Sequence, residues 1–363
     1  MTTPRIRLHI GAMKTGTTYV QRMLGRNREL LAGAGVLYPF PWSDQVVAIR
    51  DVLELKGGSH LGSAAGAWQD LVSQLHDWDG EEAIVSVEFL SFADAKQIRR
   101  IVQDLSPSEV SVVLGARDLG RVLPAQWQTA VRNGRTTTYR DYVEGVTKAG
   151  PSPSKKHFWK RQDIGRIAAR WADQVGRENV VVAAVPPRGS DPAELWRRMA
   201  VALNVSGDHL EHPTPSNESL GPTATELLRR INVQAESAGM TQWAYQHGVN
   251  RALSHAVLPN IPDRHPGLAV PSTHHRWVRT ESQRIIEEIV AAGVQVIGDL
   301  DDLSPDLPAS DSEMWPEDLT DKELLGLAVA ALTQFSQTVA DKKLRESKRS
   351  GESRRENAKA DES

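Results

Sequence analysis

The sequence predicts an α/β fold of three layers, with helices on both faces of a central, mainly parallel sheet. Three observations carry that expectation. Apolar-rich runs of strand length alternate with segments of helical spacing through roughly the first 205 residues. The strand runs are rich in Val and Ile and lack a steady polar alternation, the pattern of strands covered on both faces. The first run opens into a turn holding Gly11 and Gly16 and then into a helix, a strand–turn–helix unit that suits a parallel sheet.

The elements follow in order. "RIRLHIG" is the first strand, and "TTYVQRMLGRNRELLAGAG" carries helical spacing through Val20, Met23, Leu24 and Leu30, with Gly33 or Gly35 as the stop. "EEAIVSVEFLSF" gives a second strand and "DAKQIRRIVQDL" the helix after it. "SEVSVVLGARD" and "RENVVVAAVPP" are the third and fourth strands, each followed by a helix, the last being "DPAELWRRMAVALNV". The second half is mostly helical: "TATELLRRINVQAESAG" and "RTESQRIIEEIVAAG" are amphipathic, and "VQVIGDL" reads as a late edge strand. Residues 299–323 are acidic and contain prolines, as a surface loop does. The expected organisation is one domain over 1–340, with a core over about 5–205, a helical part over about 206–340, and a charged tail at 341–363 with too little apolar material to fold.

Composition excludes several classes. The 43 basic and 46 acidic residues leave a formal charge of −3, so a broadly basic nucleic-acid surface is not expected. The chain has no cysteine, which removes disulfides, thiolate nucleophiles and Cys-ligated metals. No apolar run of about 18 residues predicts a membrane span, and the N-terminus enters the first strand without a signal-peptide core. The expected location is the cytoplasm.

The turn "HIGAMKTGTT" has two readings. Gly11 and Gly16 supply the backbone freedom of a tight strand-to-helix connection, with Thr17 at the start of the helix. The same parts also make an anion site, because free amides at a helix start combine with the helix dipole. Thr17 and Thr18 add hydroxyls, and Lys14 adds a compact charge. Gly11 and Gly16 have the spacing of a Walker A loop, yet Thr17 follows Gly16 where that loop has lysine. A lysine inside the loop suits charge on a bridging oxygen as a group leaves, and points away from ATP hydrolysis.

"KTGTTYVQ" resembles the 5′-phosphosulfate loop of sulfotransferases, roughly K-[ST]-G-[ST]-[ST] after the first strand. The resemblance implies a P-loop NTPase-like fold, 3′-phosphoadenosine 5′-phosphosulfate (PAPS) as donor with PAP as product, and no metal. It places the 5′-phosphosulfate on Lys14, Thr15, Gly16, Thr17 and Thr18. The family also holds the 3′-phosphate with an Arg at a later strand end and a Ser eight positions on. "VVLGARDLGRVLPAQWQ" ends a strand at Arg117, a residue that also suits a plain ion pair with Asp118, but the eighth position is Ala125. Gln126, Thr129 or a basic residue of "VRNGR", Arg132 or Arg135, stands near enough in sequence to replace the missing hydroxyl. Where cytosolic members carry a catalytic His at the second strand's end, the matching place here is Glu88, a carboxylate able to take the acceptor's proton or simply to anchor a loop.

The implied activity is sulfuryl transfer to a hydroxyl of a small molecule, saccharide or glycolipid, as in bacterial sulfotransferases. A P-loop kinase or NTPase, with Asp118 as its Mg²⁺ ligand, and a non-catalytic nucleotide-binding relative are the alternatives. "SKKHFWKRQD" reads as a basic loop before a helix, either an acceptor lid using His157, Phe158 and Trp159 or a loop anchored by its Trp. "THHRW" puts His274 and His275 side by side, a poor spacing for a metal pair. "PSNESLGPTATELLRRIN" resembles an N-x-S-L-G segment of bacterial relatives and is sufficiently explained as a helix cap. Trp127, Trp159, Trp171 and Trp196 fall in amphipathic helices and are expected in the core.

Overall fold

The computed structural model describes residues 3–39, 41–55, 65–206, 209–213, 220–263, 265, 267–307 and 314–360. In chain order the elements are β1 (Arg5–His9), α1 (Thr17–Arg26), α2 (Arg28–Gly33), β2 (Val36–Leu37), α3 (Trp42–Val52), α4 (Ala67–His76), β3 (Glu82–Ser86), α5 (Ala95–Asp104), β4 (Val110–Ala116), α6 (Leu119–Arg132), α7 (Tyr139–Thr147), α8 (Pro153–Gln162), α9 (Ile164–Val175), β5 (Val180–Ala184), α10 (Glu194–Ala202), α11 (Pro222–Ser237), α12 (Gln242–Ala244), α13 (His275–Ala292), β6 (Gln295–Ile297) and α14 (Asp321–Ala360). They group into two compact units: residues 1–123, 145–215 and 270–309, and residues 124–144, 216–269 and 310–363.

The first unit is built on a six-stranded sheet in the order β2-β3-β1-β4-β5-β6, every neighbouring pair parallel. This is the predicted α/β architecture. β4 and β5 are buried along their whole length, which is why they read as unbroken Val- and Ala-rich runs. On one face Val20, Met23 and Leu24 of α1 and Trp196 and Met199 of α10 form a core with Ile84, Val113, Val181 and Ala183 of the strands. Strand residues of the other parity, such as Val112, Leu114 and Val182, are equally buried, and α9 packs against β4 and β5. The chain leaves β1 for one side of the sheet and returns to its other side as β4. That reversal at β1 makes the carboxyl ends of β1 and β4 a switch point, where open α/β sheets hold ligands.

Four local expectations are refined. The helix after the first loop breaks at Asn27, whose side-chain amide donates to Met23 O at 2.8 Å while its Oδ1 accepts from the Glu211 amide at 2.8 Å. The break turns Leu30 out to solvent and Leu31 into the core, so the apolar spacing did not run on through Leu30. The second strand stops at Ser86, and "EFLSF" is a 3₁₀ turn over Glu88–Phe92. "SKKHFWKRQD" is itself a helix, α8, started by Ser152 accepting from the Lys155 amide with Pro153 in its first turn. Phe158 is buried there, and the Trp159 ring meets Phe158 edge-on with centroids 5.1 Å apart and Trp277 at a tilt with centroids 5.9 Å apart. Between "LGRN" and the second strand the short β2 adds an edge that its two residues were too few to announce.

The second unit is helical. The amphipathic segment at 222–237 is α11, and α14 packs on it through buried Leu324, Leu327 and Ala331. Trp127 and Tyr139 pack ring to ring with centroids 5.0 Å apart, and Glu226, fully buried, is paired with Arg229 and Arg230. Trp127, Trp171 and Trp196 are buried as expected, whereas Trp159 is only partly buried. The Asn217–Ser219 cap lies outside the described residues, and the acidic stretch holds short 3₁₀ turns at Leu300–Leu303 and Pro316–Asp318. Among the described residues no helix is long and apolar enough to cross a membrane.

Candidate functional site

The loop after β1 is shaped from both sides. Gly11 (φ +105°), Lys14 (φ +70°) and Gly16 (φ +87°) all take left-handed backbone conformations, the conformation that favours glycine and strains a lysine. Ala12 N donates to Gly115 O at 3.0 Å, so the loop is pinned to the end of β4. Thr15 is fully buried, its hydroxyl donating to Ala12 O at 2.6 Å. A Cβ on Gly115 would lie 2.6 Å from that hydroxyl oxygen, so only glycine lets β4 run this close. From the other side Gln162, at the end of α8, donates to Met13 O at 2.8 Å.

The loop delivers its amides to the start of α1. Gly16 precedes the helix without a side-chain cap, and Tyr19 N and Val20 N both turn back to Gly16 O. Among the described residues the amides of Gly16, Thr17 and Thr18 show no partner, Thr17 is buried and Thr18 is exposed. Uncapped amides at the positive end of a helix dipole form an anion cradle.

Arg117 is the first residue past β4. Its Nη1 donates to Lys14 O at 3.0 Å, and its buried Nε has no hydrogen-bond partner among the described residues. Burial pushes this guanidinium down to about 10, with Arg121 and Arg188 adding like charge and Asp118 opposing them. It stays a cation at neutral pH. Asp118 does not neutralise it, because that carboxylate is committed to Arg121: it accepts from the Arg121 amide at 2.9 Å and pairs with its guanidinium. Arg121 in turn donates to Pro186 O at 2.8 Å, holding the segment after β5 beside the end of β4. A part-buried cation short of its counter-charge, next to an open amide cradle, is chemistry prepared for a polyanion.

Glu88 begins the 3₁₀ turn after β3 and backs onto the loop. The space a Gly11 Cβ would take lies 3.1 Å from Glu88 Cβ, so the missing side chain admits the carboxylate's turn. Glu88 Oε2 accepts from Gln21 Nε2 at 3.0 Å, and the same amide reaches Ser86 O at 3.2 Å. Trp42 Nε1 also donates to Ser86 O, at 2.9 Å, and Gln45 Oε1 accepts from Ser86 N at 2.8 Å. Behind them His9 Nδ1 and Ser86 Oγ are 2.7 Å apart. His9 is fully buried with its Nε2 unpartnered among the described residues, and burial holds its pKa at about 4, so it is neutral.

The structure thus brings Lys14, Thr15, Gly16, Thr17, Thr18, Arg117 and Glu88 to the carboxyl ends of three adjacent strands. Gln126 belongs to the second unit, on α6, buried with its Nε2 unpartnered among the described residues. Thr129, in the same unit, gives its hydroxyl to Ala125 O at 2.9 Å, and Arg132 and Arg135 lie there too. Gln21, Gln162 and Arg121 went unnoticed in the sequence. The signal for Gln21 was present: a polar residue on the buried face of α1, beside Val20 and Leu24, needs a partner. Among the described residues no group of three or more His, Asp or Glu side chains is placed to hold a metal ion. A cleft of about 410 Å³ lies apart from the loop, lined by Pro39, Asp44, Gln45, Asp70 and Gln74 among others.

No protein-family model matches the chain, and no curated protein matches it. Among solved structures it is similar to a crystal structure of a sulfotransferase from Alicyclobacillus acidocaldarius, at 17% identity and a TM-score of 0.38, over 68% of this chain and 100% of that one.

Proposed function

We propose that this chain is a sulfotransferase that takes the sulfuryl group of PAPS, a substrate here, to an acceptor hydroxyl. The observation that carries the reading is Arg117: a part-buried, under-neutralised guanidinium with a buried, unpartnered Nε among the described residues, fixed to the carbonyl of Lys14. A nucleotide that needs a second phosphate site beside the first is what such a residue serves, and the 3′-phosphate of PAPS is that second site. The uncapped amides of Gly16, Thr17 and Thr18 take the 5′-phosphosulfate, and Thr15 serves by shaping the loop around Ala12. Lys14 meets the charge that grows on the bridging oxygen as the sulfur–oxygen bond to the 5′-phosphate breaks. The acceptor oxygen bonds to sulfur, its proton passes to the Glu88 carboxylate, and PAP leaves. Gln21 holds that carboxylate towards the loop. The acceptor is a small-molecule, saccharide or glycolipid hydroxyl.

The kinase reading is disfavoured by Asp118. The strand-end carboxylate that would hold Mg²⁺ is already spent on the Arg121 amide and guanidinium. The deciding experiment is thermal unfolding with PAP, with 5′-AMP and with ATP–Mg²⁺. PAP at about 100 times its Kd stabilises by roughly 2.7 kcal/mol, a shift of several degrees. A shift with ATP–Mg²⁺ and none with PAP overturns the proposal.

A further inference from the structure

We propose that the acceptor is an anion: besides the hydroxyl that is sulfated it carries an oxyanion, a carboxylate or a phosphate or sulfate ester, held by Lys160 and Arg161 of α8. This inference rests on the sulfotransferase reading and names the class of acceptor which that reading leaves open.

Glu88 opens the 3₁₀ turn after β3 and Phe92 closes it, and the turn packs against both α3 and α8. Two cations of α8 stand over the Phe92 ring. Lys160 Nζ and Arg161 Cζ each lie 5.4 Å from its centroid. The next residue, Gln162, donates to Met13 O at 2.8 Å. One helix end therefore ties both charges to the turn that carries Glu88 and to the loop that carries Lys14. Trp42, at the start of α3, offers an apolar face that is 37% exposed, with its Nε1 fixed to Ser86 O at 2.9 Å. A ring compound suits such a surface.

The charge of the ligand follows from what these cations lack. α8 holds Lys155, Lys156, Lys160 and Arg161 and no carboxylate. Lys160 has no hydrogen-bond or ion-pair partner among the described residues. The carboxylates of the adjoining segments are committed elsewhere: Asp94 accepts from the Gln97 amide at 2.9 Å, Asp163 pairs with Arg284 at 3.1 Å, and Glu88 takes the Gln21 amide. A cation over an aromatic ring in the open gains little, and two like charges on one ring repel, so stability does not explain the pair. Arg161 Nη1 donates to His157 O at 2.7 Å, which steadies a guanidinium able to grip an oxyanion, and Lys160 adds a point charge beside it. A neutral acceptor would use neither cation, and a cationic one would be repelled.

Equilibrium binding of matched probes to the PAP-loaded protein, followed by ligand-observed NMR, tests this. Methyl glucuronide is compared with methyl glucoside, and para-hydroxybenzoate with para-hydroxybenzamide. Each pair differs by one negative charge, and the two pairs separate a saccharide from an aromatic source. In at least one pair the carboxylate is expected to bind about 10-fold more tightly, the worth of one hydrogen bond to a charged group. Lys160→Gln removes that preference and leaves the Kd of PAP unchanged. Lys156→Gln removes the same charge from an exposed position of the same helix and keeps the preference, which separates a site from a general field. With PAP bound, no preference in either pair, a preference that survives Lys160→Gln, or one lost equally in Lys156→Gln overturns this inference alone. Absence of PAP binding overturns the sulfotransferase reading as well.

Discussion

Arg117 Nη1 donates to the main-chain carbonyl of Lys14 at 3.0 Å, joining residues 103 positions apart. One guanidinium both fixes the loop after β1 and leaves a buried Nε without a protein partner among the described residues. Replacing it separates the two roles. Arg117→Ala is expected to raise the Kd of PAP about 10- to 100-fold, the worth of roughly 1.5–3 kcal/mol for a hydrogen bond to a charged group. Adenosine 5′-phosphosulfate, which lacks the 3′-phosphate, should lose much less. Calorimetry with both ligands checks this, and equal losses would mean that Arg117 acts on the loop alone.

Lys14 holds a left-handed backbone, φ +70°, in a loop where its neighbours in that region are glycines. A non-glycine residue there costs about 1–2 kcal/mol, offset in part by the extra freedom glycine has when unfolded. Lys14→Gly should therefore stabilise the fold by about 0.5–1 kcal/mol, while Lys14→Ala, which keeps the strain, should not. Both should lose sulfuryl transfer. Urea unfolding beside a transfer assay tests the pair. A Lys14→Gly protein less stable than Lys14→Ala would show that the strain is absent.

How much of this was legible in the sequence follows from range. β1, its loop and α1 are contiguous, so glycine spacing and apolar periodicity announced them. The strands β3, β4 and β5 were legible because burial on both faces leaves unbroken apolar runs. Strand order was not, since nothing local tells β1 to lie between β3 and β4. The parting of α1 from α2 rests on Asn27 reaching the Glu211 amide, a contact between residues 184 positions apart. Gln21 escaped for the same reason: its partner, Glu88, becomes a neighbour only once β1 and β3 pair with His9 opposite Ser86.

That pairing makes the role of Glu88 testable through Gln21. Glu88→Gln removes the proton acceptor and keeps the shape. Turnover should fall by about 10²- to 10⁴-fold, the usual contribution of general base catalysis, with PAP affinity unchanged. Gln21→Leu leaves the carboxylate in place but unheld, so its smaller loss should appear in kcat rather than in PAP binding. Near-normal turnover in Glu88→Gln would move the base elsewhere.

His9 gives the fold a dependence on pH. Burial holds its folded pKa at about 4, against 6.5 in an open chain. Between those values the unfolded chain binds a proton that the folded protein does not, so stability falls as pH drops from about 6.5 to about 4 and this contribution levels off below. The span corresponds to ~3 kcal/mol at most, at 1.36 kcal/mol per unit. His9→Asn retains an amide that can face Ser86 Oγ but has no proton to gain. Urea unfolding at several pH values should show the wild-type slope in that window flattened in His9→Asn, whatever the variant's stability at neutral pH. Identical slopes would mean that another group takes up the proton on unfolding.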